Sequence, residues 1–523
     1  MRAVRHLLLI LLLLPLAAWA DTTARGRVFV DANGNGRRDA GEAGAEGVKI
    51  SNGREIALTD ARGRYRIALR EGDTLFVVKP PGYRFPTGTA GLPVFWKHHF
   101  PKGSRELRYG RIAPSDARRA QFALLPDASE DGSPFTVLVI TDPQMKNERE
   151  LDYYARSIVA PAARHEGIAM GMTLGDLVDN ALDLHAGFNE ANKALGLPWL
   201  HAPGNHDIDF DVLEDADSLI NYRRSFGPDT VAWERPGHAF IALDDVVYRP
   251  DRKPAYVGGL REDQFAFLEH YLATLPVETR VVLSLHIPLF DDPGETFRHT
   301  DRTRLFALLE RFPEPLILSG HTHTQQHHFH GPEAGWNGQV PLHEYNVGAA
   351  CGGYWSGLSD AEGLPDARMQ DGAPNGYALV RFGRRITTRY HASRGRDAER
   401  IGLTSPGALR RGAYPAFPVL ANVYAAESDA VVEMRVDEGP WQRMERVDAL
   451  DPQLAMINVD DARAEGLRSF DRAVLAQPVM HLWAANVPTD LAAGEHRVEV
   501  RARSRFEGEM TAATSYRLID WTD

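Results

Sequence analysis

The sequence predicts a multidomain chain in which a central α/β domain lies between an N-terminal β-sandwich and a C-terminal, mostly-β domain. Three observations carry this expectation. The chain has 523 residues, more than one hydrophobic core serves, since single cores stop growing at about 250 to 300 residues. Between residues 133 and 384, apolar strand-like runs alternate with amphipathic helical stretches, the pattern of an α/β domain. On either side, over 21–127 and 385–523, the runs are short, alternate with a period of two and are punctuated by Gly-rich turns, as β domains are. Composition agrees: 43% hydrophobic and 25% charged residues exclude collagen-like, coiled-coil and wholly disordered chains. The net charge of -12 argues against a nucleic-acid partner held by bulk positive charge.

Residues 1–20 place Arg2 and Arg5 before an apolar run from Leu7 to Leu14, then Pro15 and the small-residue pattern Ala18-Trp19-Ala20. This reads as a secretory signal peptide cut before Asp21, too short to span a bilayer, and it implies export to the periplasm or the extracellular space. No later stretch is apolar enough for a transmembrane segment. Cys351 is the only cysteine, so no intrachain disulfide forms, and stability must come from core packing or bound metal. In Ala349-Ala350-Cys351-Gly352-Gly353 it reads as a small packed residue.

In the N-terminal segment, Arg27-Val28-Phe29-Val30, Gly47-Val48-Lys49-Ile50 and Gly63-Arg64-Tyr65-Arg66-Ile67 are the strand-like runs. Between the first two lies Asp31-Ala32-Asn33-Gly34-Asn35-Gly36-Arg37-Arg38-Asp39-Ala40-Gly41-Glu42, which fits a calcium-loop pattern. Asp31, Asn33, Asn35, Arg37, Asp39 and Glu42 are its candidate calcium ligands, in a structural site joining strands rather than helices. A solvated Asn-Gly hairpin is the other reading of the same residues. In the middle segment the clearest helix is Arg261 to Leu275, with Phe265, Leu268, Leu272 and Leu275 along one face. In the last, Val431 to Val436 and Glu495 to Val500 alternate as strands.

Chemistry concentrates in the middle segment, where five polar clusters each follow an apolar strand-like run. Phe135 to Ile140 leads to Asp142-Pro143-Gln144, and Ile168 to Leu174 leads to Gly175-Asp176-Leu177-Val178-Asp179-Asn180. Pro198-Trp199-Leu200 leads to Gly204-Asn205-His206-Asp207, Arg280 to Leu285 to His286, and Pro315 to Ser319 to Gly320-His321-Thr322-His323. An α/β sheet presents its binding residues at the carboxyl ends of its strands, so the five belong at one edge. Carboxylates, amide oxygens and imidazoles together suit manganese, iron or zinc rather than calcium.

In order and spacing these clusters resemble the motifs of the calcineurin-like metallophosphoesterase superfamily: Asp-x-His, Gly-Asp-x-x-Asp, Gly-Asn-His-Asp/Glu, a lone His, and Gly-His-x-His. Four are complete and one is partial. The resemblance implies a core of two β-sheets flanked by helices, and two divalent transition-metal ions bridged by Asp176. Asp142 and His323 would hold the first, and Asn205, His286 and His321 the second. It further implies that a hydroxide generated between the metals attacks phosphorus, with His206 serving the leaving oxygen and Asp179 orienting His206. Gln144 stands where the family has a metal-ligating histidine, and as a neutral, harder ligand it implies a weaker or different first metal. Asn180 stands where the protein phosphatase branch has an arginine, which points away from protein substrates and toward a small-molecule, lipid or glycan phosphate ester.

Downstream, Tyr354 and Trp355 sit in a Gly-rich loop close in sequence to the last cluster and are candidates, with Asn180, for contacting the substrate. The whole chain also resembles an exported branch with β domains on both sides of the core, on Asp60 and Gly63-Arg64-Tyr65 in the first flank and His481-Leu482-Trp483 in the last. The expected function is hydrolysis of phosphomonoesters or phosphodiesters. The rival reading is a non-catalytic surface or glycan-binding protein on a degenerate phosphoesterase scaffold.

Overall fold

The computed structural model describes residues 22–291, 296–396, 398–414 and 417–520. The expected signal peptide lies outside these. Among the described residues no helix is long and apolar enough to cross a membrane.

The N-terminal part packs two four-stranded sheets face to face. Thr22–Val30 lies between Arg64–Leu69, antiparallel, and Gln121–Pro126, parallel. Arg64–Leu69 alternates Tyr65, Ile67 and Leu69 inward with Arg64 and Arg66 outward, which fixes its register. This sandwich shares its apolar interior with the core: Phe76 meets Phe267 at 6.0 Å between ring centres, and Phe85 and Phe95 meet Trp233 at 6.1 and 5.8 Å. Behind them Glu130 is paired to both Lys79 at 2.7 Å and Arg235 at 2.9 Å, so its buried carboxylate is neutralised from both sides of the junction.

Eleven core strands are labelled in chain order: β1 Phe135–Ile140, β2 Ile168–Leu174, β3 Trp199–Ala202, β4 Thr230–Arg235, β5 His238–Leu243, β6 Arg280–Ser284, β7 Leu316–Ser319, β8 Gln326–His330, β9 Leu342–Asn346, β10 Gly376–Phe382 and β11 Ile386–Ala392. They form two sheets, ordered β3-β2-β1-β10-β11 and β4-β5-β6-β7-β9-β8. Strands β1, β2 and β3 run parallel, as do β5, β6, β7 and β9. These parallel strands are buried on both faces, which is why they read as continuous apolar runs. The helix expected over 261–275 forms over Glu262–Leu272 and buries Phe265, Leu268 and Leu272.

The core does not end at residue 384. β11 pairs along its whole length with β10, because 383–385 is a hairpin turn rather than a linker. The C-terminal part then builds its own sandwich of a four-stranded and a five-stranded sheet around Val432, Met434, Trp483, Val498 and Val500. A helix, Pro452–Arg463, is capped by Asp451, whose side chain accepts from Leu454 N at 2.8 Å. The segment that follows this helix returns to the core.

Candidate metal centre

The turns after β1, β2, β3, β6 and β7 meet at one edge of the two sheets. They are unusually strained. Asp142, Gln144, Asp176, Asn180, His321 and His323 are six of the ten described non-glycine residues with positive φ, from 41° to 71°. Such conformations cost of order 1 kcal/mol each or more and persist only where the surroundings over-determine them. Here the surroundings are backbone hydrogen bonds between the turns: Asp142 N donates to Gly175 O at 3.2 Å, and Gln144 N to Asp176 O at 3.0 Å. Asp207 fastens the underside, accepting from Gly204 N at 2.9 Å and Leu177 N at 3.1 Å.

The motif glycines make room for ligands. A Cβ on Gly175 would stand 2.6 Å from His286 Nδ1, and one on Gly204 would stand 2.2 Å from Asp176 Oδ1. Only a residue without a side chain lets these loops close to that distance.

Asp176, His286 and His321 each offer a ligand atom, all within 4.8 Å of one another, the one such cluster of three or more among the described residues. His286 Nδ1 lies 2.8 Å from the Leu174 carbonyl, which can only accept, so this nitrogen carries a proton. Its Nε2 faces Asn205 Oδ1 at 3.0 Å, His321 Nδ1 at 3.1 Å and Asp176 Oδ1 at 3.3 Å. His323 repeats the device, with Nδ1 donating to Gly353 O at 2.9 Å and Nε2 3.4 Å from Asp142 Oδ1. That carboxylate oxygen is buried and has no hydrogen-bond partner among the described residues. Converging acceptor atoms, buried and turned toward one another, are stable only around positive charge. Asp176, Asn205, His286 and His321 on one side, and Asp142 and His323 on the other, thus fit divalent cations in both position and donor chemistry.

Protonation shows the same demand for charge. Burial disfavours charge on His286, yet the Asp176 carboxylate outweighs it and lifts the imidazole pKa to about 10. Burial likewise opposes ionisation of Asp176, and the His286 and His206 imidazoles hold it well below the usual carboxylate range. His321 goes the other way, pushed down to about 4 by burial and by neighbouring His286.

Other expected site residues fall as follows. His206 is part-exposed beside the cluster, with Nδ1 3.1 Å from Asp179 Oδ1 and Nε2 4.0 Å from Asp176 Oδ2. Asn180 donates to Asp179 at 2.7 Å and is exposed at the rim. Gln144 does not offer its oxygen to the centre. Its Nε2 donates to Asp176 Oδ2 at 3.0 Å while Oε1 turns to Cys351 Sγ at 3.5 Å, so as placed it orients Asp176. Tyr354 is 51% exposed beside His323, whereas Trp355 is 6% exposed and donates through Nε1 to Pro143 O at 2.7 Å. Trp355 therefore props the β1 turn instead of offering a face for stacking.

The N-terminal loop closes on itself. Asp31 accepts from the backbone of Gly34, Asn35 and Gly36. Asn33 and Asn35 donate to Asp39, Asn35 accepts from Arg37 N, and Glu42 accepts from Ala32 N and Asp39 N. Its carboxylates do not gather into a ligand cluster.

Three residues near the centre carry no motif. Lys146 places Nζ 3.1 Å from Asp179 Oδ2 and 4.8 Å from the Tyr354 ring centre. Tyr256, on a hairpin between β5 and β6, sets its ring 6.1 Å from His321. Tyr109, from the N-terminal part, donates to Asn180 O at 2.8 Å and so joins the first β domain to the rim.

Two mixed sheets whose parallel strands converge at their carboxyl ends on a buried carboxylate-imidazole cluster define the metallophosphoesterase class. Three family matches agree: the N terminal of calcineurin-like phosphoesterase over residues 32–109, calcineurin-like phosphoesterase over 135–325, and the C terminal of calcineurin-like phosphoesterase over 344–509. The chain belongs to the calcineurin-like phosphoesterases, with β domains on both sides of the core, and is a hydrolase of phosphoester bonds. Curated proteins give no match. Among solved structures, PhoD is similar at 10% identity and a TM-score of 0.37, covering 71% of this chain and 85% of that one. Purple acid phosphatase PPD1 from yellow lupin (Lupinus luteus) seeds shows 12% identity and a TM-score of 0.37, covering 71% and 66%. GAP50, the anchor in the inner membrane complex of Plasmodium, shows 12% and 0.32, covering 50% and 86%.

Proposed function

We propose that the chain is an exported phosphoesterase that hydrolyses phosphomonoesters or phosphodiesters with two divalent cations. The observation that carries this reading is the set of buried acceptors turned inward on two sides of Asp176. Asp176, Asn205, His286 and His321 would hold one ion, and Asp142, His323 and Asp176 the other. When bound, such ions supply positive charge against the phosphoryl oxygens and make water acidic enough to act as a nucleophile near neutral pH. Gln144 leaves the second set one strong ligand short, which makes it the weaker site.

The protein's own groups do the rest. His206 stands part-open at the mouth of the site and gives a proton to the departing oxygen, while Asp179 holds its ring by Nδ1. Burial opposes charge on Asp179, but His206 and Lys146 outweigh it and keep the carboxylate ionised. Lys146 brings a cation to the substrate side, and Tyr354 an exposed ring. Export rests on Arg2, Arg5 and the apolar run before Ala20.

The test is hydrolysis of a chromogenic phosphomonoester and the matching diester by the purified chain, with manganese and with chelator. Chelator-sensitive turnover, lost in Asp176→Asn and His286→Ala, is the expected result. Turnover that survives both substitutions would remove the assignment.

A further inference from the structure

Beside the metal centre runs a cleft of about 700 Å³. One wall belongs to the core, from Gln144, Lys146 and Arg149 after β1 and from Tyr354. The other wall is Ser469 to Gln477, contributed by the C-terminal domain. This second wall is built, not draped. Asn458 and Asp461, on the helix Pro452–Arg463, fasten it: Asn458 donates to Val474 O at 2.8 Å and accepts from Ala476 N at 2.8 Å, and Asp461 accepts from Ala473 N at 2.7 Å. It is tied to the core where Gly357 N donates to Phe470 O at 3.0 Å and Gln477 N to Gln370 O at 2.9 Å.

The lining has a definite chemistry. Lys146, Arg149 and Arg472 face one carboxylate, Glu150, which is turned to backbone and accepts from Lys146 N at 2.8 Å. Neither guanidinium forms a direct ion pair with a carboxylate among the described residues, and Glu150 and Asp471 act on Arg149 only from further away. Arg149 lies 5.3 Å over the Phe470 ring, and Arg472 donates only to the Asp461 carbonyl. Between these cations, Phe470 and Tyr354 are 41% and 51% exposed, large rings left open on either side of one opening. Guanidinium groups without a direct ion pair, beside open aromatic rings, recognise an anion attached to a flat or apolar body.

We propose that this cleft receives the leaving group of the ester and selects one that carries a second negative charge on a planar or apolar body. The inference rests on the phosphoesterase reading and adds to it the class of substrate. The cleft opens onto the centre through Gln144, which donates to Asp176, and Lys146, which pairs with Asp179. A reacting phosphoryl group at the metals therefore points its other substituent between the two walls.

The test compares kcat/KM for 4-carboxyphenyl phosphate and phenyl phosphate, reading released phosphate with the metal-loaded full chain. Comparing this ratio between wild type and each variant cancels the intrinsic difference in reactivity of the two esters. It should fall by about fivefold in Arg149→Ala or Arg472→Ala, the size of a partly solvated ion pair, and further in the double variant. Arg149→Lys and Arg472→Lys should recover most of it, and Phe470→Ala should raise KM for both esters. A ratio that is the same in wild type and the arginine variants, with both esters turned over, overturns the cleft assignment alone. No turnover of either ester by a metal-loaded wild type that still hydrolyses the chromogenic diester overturns the cleft assignment alone, and no turnover of the diester either overturns the phosphoesterase reading and the cleft with it.

Discussion

Gly204→Ala tests whether the centre depends on the close approach of its loops. The added Cβ would lie 2.2 Å from Asp176 Oδ1 and 2.3 Å from Asp176 N, where ordinary contacts begin at 3.4 Å. One of the two must retreat by about 1 Å, and Asp176 has nowhere to turn. Its Oδ1 accepts from His206 N at 2.8 Å, its Oδ2 from Gln144 Nε2 at 3.0 Å, and its backbone is already at φ 51°. Metal sites tolerate about 0.2 Å in ligand position, so a shift of about 1 Å removes Asp176 as a shared ligand. Overpacking of this kind costs about 1–3 kcal/mol in stability, and misplacement by about 1 Å costs about 100-fold in rate. The measurements are metal content after dialysis, melting temperature, and kcat on a chromogenic ester. Gly383→Ala is the control, because its Cβ would meet nothing closer than 3.6 Å. A Gly204→Ala protein with wild-type metal content and kcat would refute the claim that the glycine holds Asp176 in place.

Gln144→His places an imidazole where the chain has an amide, and it should tighten the weaker of the two proposed metal sites by about tenfold, read by titrating metal into the stripped protein; unchanged affinity would show that position 144 does not face a cation. Acid should destabilise the fold through His201. Burial, with His185 adding, pushes its pKa down to about 3, so its stabilising contribution is complete above about pH 6.5 and is lost as pH falls toward 3. Between pH 6.5 and 4.5 that is about 2 kcal/mol, and urea unfolding of His201→Gln should show a correspondingly shallower pH dependence; equal slopes would place the acid sensitivity elsewhere. Tyr109→Phe removes one hydrogen bond to Asn180 O, at a cost of about 1 kcal/mol. It should raise KM for small esters at unchanged kcat, and an unchanged KM would show that the N-terminal domain does not steady the rim.

What the sequence displayed and what it hid have physical reasons. The five clusters were legible because β1, β2, β3, β6 and β7 are short, apolar and parallel, so each must end at the same edge and deliver its next few residues there. The three-part architecture was legible from the change in hydrophobic period. The end of the core was not, since Gly383-Arg384-Arg385 has the composition of either a linker or a hairpin, and only the pairing of β11 with β10 decides between them. Trp355 counts as a candidate substrate contact in the sequence because an aromatic in a Gly-rich loop looks the same whether its ring faces solvent or, as here, packs beneath a turn. Lys146, Tyr256 and Tyr109 carry no motif: each reaches the centre from a separate loop, and a single chain has no spacing that announces such meetings.

The strain around the centre explains why those spacings are so short. Asp142 and Gln144, Asp176 and Asn180, and His321 and His323 are pairs two or four residues apart, and every member is left-handed. A left-handed residue reverses the chain locally, so two in quick succession turn both side chains back over the strand end instead of letting them alternate across it. The cost is met by neighbours that cannot move. Ala350 N and Cys351 N donate to Thr141 O and Asp142 O, and Gly353 O accepts from His323, which binds the 349–353 loop across two of the three strained turns. That loop in turn packs against the C-terminal wall, where a Cβ on Gly353 would strike Val474 at 2.2 Å. The C-terminal domain therefore does two things with one segment: it backs the loop that holds Asp142 and His323 in their strained positions, and it supplies the outer face of the cleft. Loosening Ser469 to Gln477 should then weaken metal binding at the proposed Asp142–His323 site before that at the proposed Asp176–His286–His321 site, an order that separates a structural wall from a mere cover.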